Sequence, residues 1–247
     1  MSSPAPKIAM VLAAGLGTRM RPLTDDRPKA LVEVGGKALI DHMLDRLGEV
    51  GVQRAVVNVH HFGDRLQAHL ATRTVAPRVQ ISDERAQLLD SAGGIRHARA
   101  LLGEDTAFIA NIDSVWTEDG KPALQSMVEA WDPAAMDCLL LLAPMGHTLG
   151  FEGKGDFFMG EATGDSGANG AARLTHRGDA DSAPYAFIGV QILKPGLIYA
   201  GPEGPFSIFP IWMRLAAEGR LWGIALDGFW MHVGDPAARD AAEARLA

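Results

Sequence analysis

The sequence predicts an α/β protein whose core is a doubly wound, mostly parallel β-sheet. Strand-like segments that are apolar on both faces alternate with helix-like segments through the first 143 residues, as in a sheet covered by helices on both sides. A glycine-rich turn follows the first of these strands directly, as in Rossmann-like sheets. Hydrophobic residues make up 47% of the chain and charged residues 21%, which is typical of a folded globular protein.

The elements of the first half are predicted from the spacing of apolar residues. Strands are expected at 7–13, 55–59, 79–82, 107–110 and 137–143, and helices at 38–50, 63–71, 93–102 and 122–130. The helix at 38–50 has its apolar residues at helical spacing: Leu39, Ile40, Met43, Leu44 and Leu47. The last strand contains a long apolar run and is expected to be buried.

The second half is expected to form a smaller, β-rich part. Residues 146–182 are rich in glycine, aspartate and alanine, which is typical of hairpins or an insertion loop, with a loose patch at 160–172. Strands are then predicted at 185–193 and 221–226, and helices at 210–218 and 236–246, the last with Asp235 as its N-cap. We expect a single domain over 1–247, with halves that divide at 143/144.

Composition and charge exclude several classes of protein. The single cysteine, Cys138, excludes a disulfide framework and a multi-cysteine zinc site. A net charge of −7 argues against a general nucleic-acid binder, whose surface is basic. No segment approaches the length of a membrane-spanning helix, and the first apolar run is broken by Gly15 and Gly17 before it could serve as a signal peptide. We therefore expect a cytoplasmic protein with neither nucleic acid nor membrane as a partner.

The glycine turn after the first strand is suited to binding phosphate. Gly15 and Gly17 let backbone N–H groups approach phosphate oxygens without interference from side chains. Met20 stands where a dinucleotide fingerprint has its third glycine, which excludes a nicotinamide-dependent oxidoreductase, and no Gly-Lys-Ser/Thr follows as in a Walker A loop. The alternative is an ordinary tight turn between a strand and a helix.

Basic residues are concentrated beside this turn. Five of the 23 lysines and arginines fall within 19 residues: Arg19, Arg21, Arg27, Lys29 and Lys37. Arginine binds phosphate oxygens in pairs, and lysine acts as a compact point charge. The sequence therefore predicts one basic pocket for a small phosphorylated ligand on an otherwise acidic protein.

Two further segments follow strands and contain residues suited to a nucleotide. Asn111 and Asp113 follow the strand at 107–110, where a carboxylate could hold Mg²⁺ beside phosphates; the alternative is a polar loop cap. Residues 88–95 are small enough to let a flat base lie against the backbone; the alternative is a helix start capped by Asp90 or Ser91.

Residues 12–29 resemble the signature LAAGxGTRMxPLTxxxPKxL of the sugar-1-phosphate nucleotidylyltransferases. Residues 34–40 resemble the family's VxGKPLI segment, with Ala38 in place of proline. The resemblance covers most of the chain and implies a nucleotide-diphospho-sugar transferase fold, with a nucleotide-binding half over 1–143 and a sugar-binding half over 144–247. It implies an enzyme that converts an NTP and a sugar 1-phosphate to an NDP-sugar and pyrophosphate, with Mg²⁺ as cofactor.

The resemblance also implies which residues of this chain form the site. Arg19 would stabilise the leaving pyrophosphate, and Lys29 would neutralise the phosphates between the attacking group and the NTP. Asp113 matches the metal-binding aspartate of the family's NGD motif, with Ile112 in place of its glycine. The implied nucleotide-binding residues are Leu12, Ala13, Ala14, Gly15, Gly17, Thr18, Arg19, Leu89, Ala92, Gly93 and Asn111.

The second metal ligand of the family departs from its pattern here. The family has W-x-D-V-G-T-P, and this chain has His232 in place of the aspartate and Asp235 in place of the threonine. Three alternatives follow: His232 holds the metal or a phosphate weakly, Asp235 turns in, or Asp113 alone holds the ion. We expect Asp113 and His232 to be the metal residues, although imidazole is a poorer ligand than carboxylate for Mg²⁺.

The acceptor side is implied by two weaker similarities. Residues 155–157 resemble a GDF segment, and residues 185–190 resemble the family's Y-x-x-T-G-I strand, which lines the sugar site. The implied sugar-binding residues are Asp156, Tyr185, Ile188 and Gly189. Ile188 replaces the usual threonine, and Gly189 has a strand bulge as its alternative explanation.

Residues 88–94 resemble the LLETxGG segment of the N-acetylmuramate-1-phosphate uridylyltransferases. This similarity favours uracil as the base of the nucleotide. This implies UTP and N-acetylmuramate 1-phosphate as substrates, in the recycling of cell-wall sugars, with a monomer or small homo-oligomer as the assembly. Alternatives within the family are a mannose-1-phosphate guanylyltransferase and a glucose-1-phosphate thymidylyl- or uridylyltransferase. An alternative of another class is a nucleotide-binding sensor without turnover, motivated by the departures at Ile112, Ile188 and His232.

Overall fold

A computed structural model describes residues 5–160 and 170–246. Its strands are β1 (Ile8–Leu12), β2 (Glu33–Val34), β3 (Lys37–Ala38), β4 (Arg54–Val59), β5 (Arg78–Asp83), β6 (Ala107–Asn111), β7 (Ser114–Glu118), β8 (Cys138–Pro144), β9 (Thr148–Leu149), β10 (Phe157–Met159), β11 (Ala171–His176), β12 (Tyr185–Leu193), β13 (Leu221–Ala225) and β14 (Gly228–His232). Its helices are α1 (Leu39–Glu49), α2 (Gly63–Ala71), α3 (Asp90–His97), α4 (Arg99–Leu102), α5 (Ala123–Ala130), α6 (Gly196–Tyr199), α7 (Phe209–Ala217) and α8 (Pro236–Leu246).

Nine of these strands form one sheet, which contains strands from both halves of the chain. Their order is β10-β11-β13-β8-β12-β6-β1-β4-β5. Strand β1 pairs in parallel with β4 and β6, and β4 in parallel with β5. Strand β12 is antiparallel to both of its neighbours, β6 and β8, and β11 is antiparallel to β13. The mostly parallel α/β sheet expected from the sequence is confirmed, with β11 and β12 running against the common direction.

Helices cover both faces of the sheet, because alternate side chains of each central strand enter different cores. Ala9 and Val11 of β1 lie in a core formed with helices α1, α2 and α5, whereas Ile8 and Met10 lie in a second core formed with α3, α4, α6 and α7. This is the reason why the strands are apolar on both faces in the sequence.

A small second sheet joins the end of the chain to its middle. Strand β14 pairs antiparallel with β7 and parallel with β9, and its register places His232 opposite Ser114. The backbone N–H of Val233 donates a 2.8 Å hydrogen bond to the carbonyl oxygen of Asp113. Residues that are far apart in the sequence are thereby brought together at the carboxyl end of β6.

The predicted boundaries are mostly confirmed. The helices at 63–71 and 236–246 and the strand at 185–193 have the predicted bounds, and Asp235 Oδ1 accepts a 2.8 Å hydrogen bond from the N–H of Ala238, as expected of an N-cap. The single helix predicted at 93–102 is wrong: α3 begins three residues earlier and ends at His97, and α4 follows after Ala98.

In the predicted loop region, β10 and β11 form an antiparallel hairpin, as expected. Within the loose patch predicted at 160–172, residues 161–169 lie outside the described residues. Across residues 5–160 and 170–246, none of the helices has both the length and the apolar character that crossing a membrane requires.

Candidate active site

A cavity of about 370 Å³ opens at the carboxyl ends of β1 and β6. Nine residues expected at the site line it: Leu12, Ala13, Gly15, Gly17, Thr18, Arg19, Lys29, Asn111 and Asp113. Five others complete the lining, namely Leu16, Met20, Leu88, Ile112 and Gly234. The cavity lies where ligands bind in open α/β sheets, outside the carboxyl ends of adjacent strands.

The glycine turn takes its shape from Gly17, whose φ of +64° lies in the left-handed region. A Cβ atom at this position would lie 3.1 Å from Lys29 Cβ and 3.2 Å from Thr24 Cγ2. The Thr24 hydroxyl donates a 2.8 Å hydrogen bond to the carbonyl oxygen of Gly17 and fixes the turn. The turn thus packs directly against the stem of Lys29, so that the two segments of the signature form one wall.

Of the five clustered basic residues, the structure brings only Arg19 and Lys29 to the cavity. The other three extend over the surface and pair with aspartates, so two cations of the cluster face the predicted basic pocket. Arg21 lies 3.6 Å from Asp25, Arg27 lies 2.8 Å from Asp26, and Lys37 lies 2.7 Å from Asp45. Arg19 is exposed and has no ion pair within the described part of the chain, so its guanidinium is available to a ligand.

Lys29 and Asp113 line the cavity and form an ion pair, and His232, which does not line the cavity, lies beside Asp113. Lys29 Nζ lies 2.8 Å from Asp113 Oδ2, and His232 Nε2 lies 3.5 Å from the same oxygen. The other ring nitrogen of His232, Nδ1, lies 3.1 Å from the carbonyl oxygen of Gly150. A carbonyl oxygen can only accept, so Nδ1 carries a proton and donates to Gly150.

The two neighbours of Asp113 keep its carboxylate charged. Burial alone raises the pKa of Asp113, but the His232 hydrogen bond and the positive charge of Lys29 outweigh burial and hold that pKa well below its usual range. At neutral pH the cavity therefore presents a fixed negative charge beside the lysine.

The side chains present fit a magnesium site of the open kind. Within residues 5–160 and 170–246, no group of three or more His, Cys, Asp or Glu side chains is arranged to hold a metal ion. Magnesium commonly binds through one or two carboxylates plus phosphate oxygens and water, and Asp113 meets that need. Asp235, the alternative second ligand, is engaged as the N-cap of α8, whereas His232 faces Asp113.

On the base side, the structure differs from expectation. The N–H groups of Ala92 and Gly93 both donate to the carbonyl oxygen of Phe206, at 3.1 and 3.2 Å, and the carbonyl oxygen of Leu89 accepts from the N–H of Phe206. Leu89, Ala92 and Gly93 thus bind the backbone of Phe206 and do not line the cavity. Ala14 is buried behind the glycine turn and does not line it either. Leu88, which is 36% exposed, is the residue of this segment that lines the cavity. Neither Asp90 nor Ser91 caps α3 with its side chain.

The four residues expected to bind the sugar do not line the cavity. The side chain of Ile188 is fully buried in the core, and its carbonyl oxygen accepts a hydrogen bond from the Ser114 hydroxyl. Asp156 Oδ2 accepts a 2.8 Å hydrogen bond from the N–H of Phe187, which ties the start of β10 to β12. Tyr185 is half-buried and pairs with Phe157 in the sheet.

Gly189 forms the strand bulge that was the alternative explanation. Its φ is +88°, and the register of β12 against β8 shifts between Phe187 and Gln191. A Cβ atom here would lie 2.9 Å from Asn111 Cβ, so the glycine makes room for Asn111, which lines the cavity.

Two buried polar residues beside the cavity are missed by the sequence argument. Asn58 and Glu84 are only 3% and 2% exposed, and they hydrogen-bond to each other directly behind the glycine turn. Asn58 lies in β4 and Glu84 follows β5, so the same rule that found Asp113, polar residues at the carboxyl ends of apolar strands, could have found them.

The fold and this geometry define a class of protein. A glycine turn open to phosphates, two cations and a permanently charged carboxylate at the end of a parallel sheet are what a transferase of phosphorylated groups needs. This class is consistent with a family model described as nucleotidyl transferase, which matches residues 8–148. The chain belongs to this nucleotidyl transferase family.

Relatives of known name cover the whole chain. It is 57% identical to an N-acetylmuramate alpha-1-phosphate uridylyltransferase of Caulobacter vibrioides over 248 residues, covering 99% of each chain. It is 30% identical to a protein of the same name from Neisseria meningitidis over 92% of each chain. A solved structure of UDP-glucose pyrophosphorylase complexed with UDP-glucose has a TM-score of 0.79 over 98% of each chain at 17% identity, which shows the same fold.

Proposed function

We propose that this enzyme transfers the uridylyl group of UTP to N-acetylmuramate α-1-phosphate, which gives the UDP-sugar and pyrophosphate. The observation that carries the proposal is the ion pair of Lys29 and Asp113 in a cavity that Arg19 also lines, with His232 beside Asp113. The choice of substrates is supported by the 57% identity to the Caulobacter relative over 99% of both chains.

The reaction joins two anions, so the main task of the protein is to neutralise charge. A phosphate oxygen of the sugar 1-phosphate forms a bond to the α-phosphorus of UTP, and the bond from that phosphorus to the bridging oxygen of the pyrophosphate breaks. A phosphate monoester is already ionised at neutral pH, so the attacking oxygen needs no general base. The cavity accordingly offers cations and backbone N–H groups rather than a titrating base.

Each cation has a distinct place. Lys29 is largely buried and held by Asp113, so it is a fixed charge at the floor, suited to the phosphates of both reactants. Arg19 is exposed at the rim and free of aspartate, so it can close over the leaving pyrophosphate and bind two of its oxygens. The N–H groups near Gly15 and Gly17 complete the binding of phosphate oxygens.

Magnesium would be held by Asp113, with His232 beside it and with phosphate oxygens of the ligand. When bound, the ion supplies neutralisation of phosphate charge. The contribution of this chain is to keep Asp113 ionised and to hold the His232 ring beside it through the bond from Nδ1–H to Gly150.

The test is a panel of UTP, CTP, GTP, ATP and dTTP against the 1-phosphates of N-acetylmuramate, N-acetylglucosamine, glucose and mannose, with Mg²⁺. Pyrophosphate release is followed, and the product is identified by mass. We expect UTP with N-acetylmuramate α-1-phosphate to give the highest kcat/KM. A higher value for a guanylyl or thymidylyl pair would contradict the substrate assignment.

A second candidate function is a nucleotide-binding sensor without turnover. It is favoured by one observation, the imidazole of His232 in the place of a metal-binding carboxylate. Binding of an NTP with no pyrophosphate release for any pair of the panel would support the sensor and refute the enzyme.

A further inference from the structure

A chain of buried hydrogen bonds joins three neighbouring strands behind the cavity. The N–H of Ala13, just after β1, donates a 2.6 Å hydrogen bond to Asn58 Oδ1. Asn58 Nδ2 in turn donates a 2.8 Å hydrogen bond to Glu84 Oε1. Because the amide of Asn58 receives with its oxygen and donates with its nitrogen, its orientation is fixed by both partners.

The same carboxylate reaches the segment on the other side of the cavity. Helix α3 packs on the chain through Gly94, where a Cβ atom would lie 2.8 Å from Glu84 Oε1 and 3.1 Å from Asn58 Nδ2. Ala13 and Leu88 both line the cavity, so Glu84 stands between its two walls.

We propose that Glu84, acting through Asn58, is a positioning residue that sets the spacing between the glycine turn and the 88–94 segment and thereby determines the affinity for the nucleoside triphosphate. This rests on the proposed function in one respect, that the cavity binds an NTP. Neither residue lines the cavity, so neither is assigned a contact with the ligand.

Stability alone does not account for a carboxylate at this place. A buried carboxylate is costly unless every oxygen is hydrogen-bonded, and apolar side chains of similar volume are usually at least as stable. Glu84 Oε2 has no hydrogen-bond partner among the described residues, and burial raises the pKa of Glu84. What the carboxylate offers, and an apolar residue does not, is an acceptor for the Asn58 amide at the place where Gly94 of α3 packs against both side chains.

The test exchanges the two polar groups. In Asn58→Asp, one oxygen still accepts from Ala13, but the other faces Glu84 Oε1, so two acceptors meet. In Glu84→Gln, the amide oxygen can still accept from Asn58 Nδ2, so this variant keeps the bond. In the double variant, the new amide at position 84 can donate to the new carboxylate at position 58. That carboxylate also accepts from the N–H of Ala13, so the double variant rebuilds every bond with unchanged size and charge.

Binding of UTP with Mg²⁺ is measured by calorimetry for the wild type, both single variants and the double variant, with urea unfolding alongside. We expect Asn58→Asp to raise the Kd of UTP about tenfold, the equivalent of one lost buried hydrogen bond. Glu84→Gln should raise it less than about threefold, because the bond to Asn58 is kept. The double variant should return to within about threefold of the wild type, since the bonds are restored. The KM of the sugar 1-phosphate should change by less than about threefold in all variants, because the chain lies on the nucleotide side.

The proposal is overturned if Asn58→Asp binds UTP as the wild type does, or if the double variant regains stability but not affinity. An equal rise in Kd for UTP and in KM for the sugar 1-phosphate would also overturn it, because that result reports a general loss of structure. Failure of the proposed function gives a different result. The Kd of UTP then changes among the variants as expected, but no pair of substrates in the panel releases pyrophosphate. A wild-type protein that binds no NTP overturns both.

Discussion

Lys29 is the cation whose removal tests the mechanism most directly. The substitution is Lys29→Met, which keeps the apolar stem that packs against Gly17 and removes the charge. Only 12% of the Lys29 side chain is exposed, so an effective dielectric constant of about 20 applies to it. At about 4 Å from a phosphate charge, one positive charge is then worth about 4 kcal/mol.

We therefore expect kcat to fall by about 10²- to 10³-fold, the loss that follows removal of one preorganised electrostatic contact. The assay is continuous pyrophosphate release at saturating UTP and sugar 1-phosphate. Lys37→Met is the matched control, because Lys37 is also paired with an aspartate, at 2.7 Å, but lies on the surface away from the cavity. The control should keep the wild-type rate and lose at most about 0.5 kcal/mol of unfolding free energy.

Retention of more than a tenth of the wild-type kcat by Lys29→Met would refute the assignment of Lys29 to charge neutralisation. An equal loss of kcat in Lys29→Met and Lys37→Met would refute the claim that Lys29 matters because it lines the cavity. Urea unfolding accompanies both, so that a loss of folded protein is not mistaken for a loss of catalysis.

Three further predictions concern Arg19 and His232 at the site and the ion-paired Asp137 elsewhere in the fold. Arg19→Ala should lower kcat by about 10²-fold with an unchanged thermal midpoint, because Arg19 is exposed and without an ion pair in the described residues; a full rate in the pyrophosphate assay would remove Arg19 from catalysis. His232→Asp should lower the Mg²⁺ concentration for half-maximal UTP binding by about tenfold, since carboxylate is the better ligand for Mg²⁺; calorimetric Mg²⁺ titration showing no change would place His232 outside the metal site. Asp137→Asn should cost about 2 kcal/mol of unfolding free energy at pH 7, because hydrogen bonds from Arg220 and Lys194 lower the pKa of Asp137 from 3.8 to about 2. That contribution is present above pH 5 and disappears as the pH falls toward 2, so the unfolding free energies of the wild type and the variant should converge in acid. A difference between the two free energies that stays constant with pH would contradict the prediction.

The sequence predicts the parts of the site that depend on local backbone. Gly17 needs a left-handed conformation, and Lys29 follows at a fixed distance along the same loop, so both belong to one short signature. Asp113 is predictable because it follows a buried apolar strand, and a strand of a parallel sheet ends at the ligand edge.

What the sequence does not predict depends on neighbours that are distant along the chain. Ala92 and Gly93 look suited to a base, but Phe206 takes their N–H groups. The sequence predicts Ile188 at the sugar site and does not reveal that its side chain is fully buried beside the bulge at Gly189. Asn58 and Glu84 are polar residues in a buried setting, and only the pairing of β4 with β1 and β5 shows that they meet.

The small sheet that places His232 opposite Ser114 has a consequence for the synthesis of the protein. Roughly 200 residues separate Lys29 from His232, so at 5–20 residues per second about 10 to 40 s pass between the translation of the two. Until β14 docks on β7, Asp113 has Lys29 as a neighbour but lacks its imidazole. The floor of the site is therefore assembled late, and a nascent chain that has already folded its first strands does not yet have the complete centre.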